Sequence, residues 1–135
     1  MSLEASKFTT ARIANMEFGG TAYTPAANLY IRLFSDLVTL DGVGTEITTD
    51  GYAPKQVANS LTNFPTTTNG VKQNALQIEM EPLEADSPEI VSVGIFDAAS
   101  GGNLLYRKDY SSNPFVISGT YFLVLAPGDL SLSFS

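Results

Sequence analysis

The chain has 135 residues, 44% of them hydrophobic and 16% charged, with 11 Gly and 7 Pro; this is the composition of a soluble globular domain that buries roughly two thirds of its unfolded surface around one core. It contains no His, no Cys and no Trp, which excludes thiol nucleophiles, thiolate and imidazole metal sites, Ser-His triads and any acid–base chemistry needing a group that titrates unperturbed near neutrality. A net charge of −7, from 14 acidic and 7 basic residues, disfavours nucleic acid and anionic membrane surfaces, since the cations are scattered rather than clustered.

In chain order, residues 3–17 read as a helix with Ser2 as cap, Glu4 in the first turn and a loose apolar stripe of Leu3, Phe8, Ala11, Ile13, Ala14 and Met16. Gly19-Gly20 ends it. It is either a helix docked on the side of a sheet or an arm that orders on a partner. The opening MSLEASKFTTARIANMEF is polar throughout, so no export signal is expected.

From Asn28 the apolar period becomes two, as in a strand with one face buried. Leu29, Ile31 and Leu33 alternate with Tyr30, Arg32 and Phe34; an Asp/Gly loop follows at Asp41-Gly42-Val43-Gly44. Tyr52 to Ser60 reads as a weaker strand. Residues 61–68 and 71–80 read as a hairpin around Asn69-Gly70, a pair suited to a type I′ turn. Further strands are expected over 89–97, 104–110 and 115–117. The apolar run 120–126 reads as a strand covered on both faces, and 130–134 as a closing strand with Leu130, Leu132 and Phe134 on one side. Eight or nine short strands at spacings of about ten residues predict an all-β fold, a jelly-roll-like antiparallel β-sandwich with a short N-terminal helix or arm, in one domain over 1–135 (arm 1–20, sandwich 28–135).

Chemical motifs are sparse. Glu79, Glu81, Glu84, Asp86 and Glu89 crowd one segment; the EF-hand spacing is absent, so a solvated acidic loop is favoured over a calcium site. Paired-carboxylate catalysis requires one raised and one ordinary pKa in a cleft, and no carboxylate lies in an apolar context. The stretch Ser100-Gly101-Gly102 lacks the Lys-Ser/Thr ending of a phosphate loop and reads as a turn. The Tyr and Phe residues are assigned mainly to packing, with outward tyrosines as the ones able to form a partner- or sugar-binding platform. No cofactor or metal is expected, and no enzyme activity.

Several segments together resemble a known family: FGGTAYTP from Phe18, LYIRLF from Leu29, GTE from Gly44, GYA from Gly51, VGIFDAASGGNLLY from Val93 and APGDLSLSF from Ala126. They are similar to small bacteriophage virion proteins labelled tail-fibre-like or head-decoration proteins. In order and spacing the likeness covers nearly the whole chain; it departs at EPLEADSP from Glu81, where relatives carry an Ala/Thr-rich turn with a Trp. The resemblance implies a non-enzymatic virion structural protein. Its first implied role is a capsid decoration, or cement, protein on the capsid exterior, assembled in the host cytoplasm and bound to the major capsid protein. A tail, baseplate or tail-fibre component contacting tail proteins is the alternative, and a carbohydrate-binding module is a third reading. A homo-oligomer, with a trimer favoured, is expected; nucleic acid and membrane are not. The expected contact residues are Leu3, Phe8, Arg12, Met16, Phe18, Tyr23, Asp41, Val43, Glu46 and Tyr52.

Overall fold

The alternation in NLYIRLF sends Leu29, Ile31 and Leu33 to one core and Phe34 to another, which makes this segment, β2 (Asn28–Phe34), a strand packed on both faces. A computed structural model describes residues 3–67 and 69–133. Among them the order is β1 (Glu4–Ala5), α1 (Lys7–Glu17), β2, β3 (Lys55–Ala58), β4 (Val71–Gln73), β5 (Ile78–Glu79), β6 (Ser92–Phe96), β7 (Leu104–Asp109), β8 (Val124–Leu125) and β9 (Ser131–Ser133). The protein is all-β with one short N-terminal helix. All strand pairs are antiparallel: a five-stranded sheet ordered β1-β7-β6-β2-β3, and two ribbons, β4-β9 and β5-β8. A jelly roll divides eight strands between two four-stranded sheets; here five strands share one sheet and four are split between ribbons.

The main core gathers Ile31, Leu33, Val93 and Ile95 from the sheet with Ile78, Met80, Leu83, Leu125 and Leu130 from the ribbons and their loops. A smaller cluster of Phe34, Val38, Phe96 and Leu104 fills the other face. Gly94 makes room there, because a Cβ at that position would stand 2.6 Å from the Phe96 ring.

Several expectations are corrected. The helix begins at Lys7, not residue 3, because residues 4–5 pair with β7 and Ser6 is the cap, its Oγ accepting from the Thr9 N–H at 3.0 Å. Ser2, the expected cap, lies outside the described residues, as does Phe134. The helix is docked rather than a free arm. A register shift between Ile95 and Phe96 leaves Leu105 out of the Cα pairing, and its carbonyl accepts from the Ser6 N–H at 3.0 Å and the Thr9 hydroxyl at 2.9 Å, both side chains being fully buried. Residues 61–64 turn instead of extending, with the Phe64 N–H donating to the Ser60 carbonyl at 2.8 Å. The expected hairpin is therefore replaced: Gly70 has the positive φ of 76° that its turn demands, but β4 pairs with β9. Pro65, which has no N–H to give a ladder, disfavours the local pairing. The run 71–80 is broken at the buried Asn74, and of 120–126 only Val124–Leu125 is strand.

Candidate assembly surface

Three surfaces present side chains suited to a macromolecular partner. The first lies over α1. Phe8 and Tyr23 meet edge to face with centroids 6.3 Å apart, and the Arg12 guanidinium carbon sits 3.9 Å from the Tyr23 centroid and 5.8 Å from that of Phe8. Below them is a cavity of about 200 Å³ lined by Leu3, Leu29, Leu105, Leu130 and Leu132, with Arg12, Tyr23 and Lys72 also on its wall. Of the expected contact residues, Leu3, Phe8, Arg12 and Tyr23 thus converge on one site, while Leu3 itself packs partly into the main core. Met16 is exposed, and Phe18, just past the helix, is 86% exposed.

The second surface is the loop between β2 and β3. Lys7 and Asp41 form an exposed ion pair at 3.0 Å, and Val43 is exposed. Glu46 and Tyr52 are turned inward to neighbours of this chain. The Glu46 carboxylate accepts from Arg32 Nε at 3.1 Å and Nη2 at 2.9 Å on one oxygen, and from the Tyr52 hydroxyl at 2.6 Å on the other. That hydroxyl in turn accepts from the Leu33 N–H at 3.0 Å, and Arg32 lies 3.9 Å over the Phe96 ring. These residues fasten the loop to β2.

Burial, and then the hydrogen bond to Glu46, hold the Tyr52 hydroxyl far above its ordinary pKa; burial pushes Tyr106 in the same direction. The sign follows from linkage. Above the ordinary tyrosine value of 10.0 the unfolded chain loses a proton that the folded chain keeps, so stability falls as pH rises, by at most about 1.4 kcal/mol per pH unit from this group. Tyr52→Phe is expected to be about 1–2 kcal/mol less stable at neutral pH, having lost both hydrogen bonds, yet to lose stability more slowly under alkaline conditions. Urea unfolding across that range measures the slopes; parallel slopes for the two proteins would contradict the assignment.

The third surface was not among the expected contacts. Residues 115–125 run antiparallel to 78–90: Glu79 pairs with Val124, the Met80 N–H donates to the Leu123 carbonyl at 3.0 Å, Leu83 to Tyr121 at 3.2 Å, and Ser87 to Ile117 at 2.9 Å. Thr120 adopts φ 72°, a left-handed conformation rare for a β-branched residue. The chain turns outward there, with the Tyr121 N–H donating to the Ser118 carbonyl at 3.1 Å. Tyr121 is consequently 69% and Phe122 43% exposed, beside exposed Val116 and Val124. The expectation of a doubly covered strand fails at this point. Apolar composition is the same for a buried strand and an exposed patch, and the left-handed Thr120 has no signature in the sequence. The acidic residues Glu79, Glu81, Glu84, Asp86 and Glu89 are all exposed along this strip, and among the described residues no group of three acidic side chains is placed to hold a metal ion.

The family model that matches this all-β framework places it in the class of bacteriophage virion structural proteins. The chain is a member of the Gp80 family, described as podophage GP4 fiber I protein gp80, whose family model matches residues 4–133. No curated protein matches the chain. The likeness to tail-fibre-like virion proteins drawn from the segments at Phe18, Leu29 and Val93 is thereby established at the level of the family, and the protein is a virion component.

Proposed function

We propose that the protein is a non-enzymatic component of a podophage tail-fibre apparatus that works by protein–protein contact. The observation that carries this reading is the fiber-protein family match over residues 4–133. It favours the tail over the capsid decoration first implied by the resemblance, and so tail proteins over the major capsid protein as partners. The absence of His and Cys from the chain supports binding rather than turnover. Further copies of the chain are proposed partners as well, a trimer being one closed arrangement. The test is quantitative mass spectrometry of separated heads and tails from purified virions. Enrichment in the tail fraction at fibre stoichiometry is the expected result; a copy number that scales with capsid subunits in the head fraction would restore the decoration reading and remove this one.

A further inference from the structure

We propose that copies of this chain join head to tail, the acid-flanked tip at Tyr121 and Phe122 of one copy seating in the cavity beside Arg12 and Lys72 of the next. The proposal rests on the reading of the chain as an assembling virion protein and names the contact through which it would assemble.

The argument is one of complementary surfaces. Along 78–90 the buried positions Ile78, Met80, Leu83, Ser87 and Ile90 leave the intervening carboxylates in solvent. Because this segment is paired with 115–125 along its length, those carboxylates flank the exposed Val116, Tyr121, Phe122 and Val124. Among the described residues the ion pairs use Asp41, Glu46 and Glu4, so none of the five flanking carboxylates is neutralised by a cation. The strip is apolar in the middle and anionic at its edge.

The cavity has the opposite character. Lys7, Arg32 and Arg107 are committed to carboxylates, and Lys108 is buried with its ammonium on the Asp129 carbonyl. Of the cations that remain without a carboxylate among the described residues, Arg12, Lys55 and Lys72, the first and last line the cavity. On a chain of net charge −7, apolar surface and positive charge without a carboxylate partner among the described residues coincide there, Arg12 lying over the Tyr23 ring and the Lys72 ammonium donating to the Pro65 carbonyl at 3.0 Å. An aromatic tip bordered by carboxylates matches it in polarity and charge, and desolvated aromatic anchors ringed by charge pairs are where interfaces concentrate affinity and selectivity. Strip and cavity share no residue. A contact between two different patches is heterologous, so it repeats from copy to copy and either closes a ring or continues as a filament.

Sedimentation velocity on the purified full chain tests this. The wild-type protein is expected to associate as concentration rises. A strip variant, Tyr121→Ser with Phe122→Ser, and a cavity variant, Arg12→Glu with Lys72→Glu, are each expected to associate about 30-fold more weakly or worse. Mixed in equal amounts they should form a one-to-one heterodimer and nothing larger, because the intact strip of one meets the intact cavity of the other. Arg12→Gln with Lys72→Gln, which keeps side-chain length, should also weaken association if charge matters; circular dichroism establishes that each variant is folded. A wild-type protein that stays monomeric, folded variants that associate as wild type does, or a mixture without heterodimer would each overturn the contact. A monomer found in tails would sink this contact alone, whereas a self-associating protein found in heads would sink the fibre reading alone.

Discussion

Asn74→Leu is expected to lower the free energy of unfolding by about 4 kcal/mol, and the melting midpoint by roughly 15 °C, although the replacement is apolar and nearly isosteric. Asn74 is fully buried, and its side chain is saturated: Nδ2 donates to the carbonyls of Leu76 at 2.9 Å and Ala126 at 3.0 Å, while Oδ1 accepts from the N–H groups of Gly128 at 3.1 Å and Leu130 at 3.0 Å. These groups do not suffer equally. The Gly128 N–H also donates to the Asn74 main-chain carbonyl at 2.9 Å, and the Ala126 carbonyl also accepts from Asp129 at 3.0 Å, so both keep a partner. The Leu130 N–H and the Leu76 carbonyl have no second partner among these bonds; Leu130 is buried, and a buried unsatisfied group costs about 1–3 kcal/mol, whereas Leu76 is half exposed and its carbonyl can turn to water. Asn74→Asp, which keeps the acceptor but turns a carboxylate toward the two carbonyls, is expected to fall between. Thermal and urea unfolding give the numbers; a loss under about 1 kcal/mol for Asn74→Leu would mean that water replaces the amide. Asn74 directly follows β4 and lies in the link to β5, so the chain leaves one ribbon for the other from this residue.

What could be read from the residues follows the same division between local and distant causes. The strands at 28–34, 92–96 and 104–109 were legible because their alternation is dictated by two packed faces. The partner of 71–73 was not. Asn69-Gly70 announces a turn, but pairing with 131–133 is decided by contacts some sixty residues away, and no local pattern encodes them. The site divides similarly. Phe8, Arg12 and Tyr23 were identified separately, and their convergence depends on α1 docking at the Leu105 bulge. Glu46 and Tyr52 were expected to face a partner, yet Arg32, an unremarked alternate residue of β2, draws Glu46 inward and Tyr52 with it. The acidic segment was visible as a run of charge, and the apolar run 120–126 as a strand; that they form one surface is a property of their pairing.

The base of that surface makes Gly51 the other sensitive position. Gly51→Ala is expected to cost about 3 kcal/mol, with two separable causes. Its φ is +86°, which costs a residue with a Cβ about 1–2 kcal/mol. In addition, the new Cβ would stand 2.8 Å from the Glu84 nitrogen and 2.9 Å from the Pro82 carbonyl oxygen. Both are backbone atoms, so no side-chain rotation relieves the contact, and the hydrogen bond from the Glu84 N–H to the Asp50 carbonyl, 2.7 Å long, must stretch or break. Gly101→Ala is the control: its φ is +62° and nothing lies within 4 Å of the added methyl, so only the conformational cost of about 1 kcal/mol applies. The difference between the two variants in urea unfolding isolates the close approach of the 49–51 turn to residues 82–84, and equal losses would show that this approach contributes nothing. Because Leu83 exchanges backbone hydrogen bonds with Thr120 and Tyr121, pushing 82–84 outward also displaces the aromatic tip. Gly51→Ala should therefore weaken head-to-tail association under conditions where it is still folded, while Gly101→Ala leaves association unchanged.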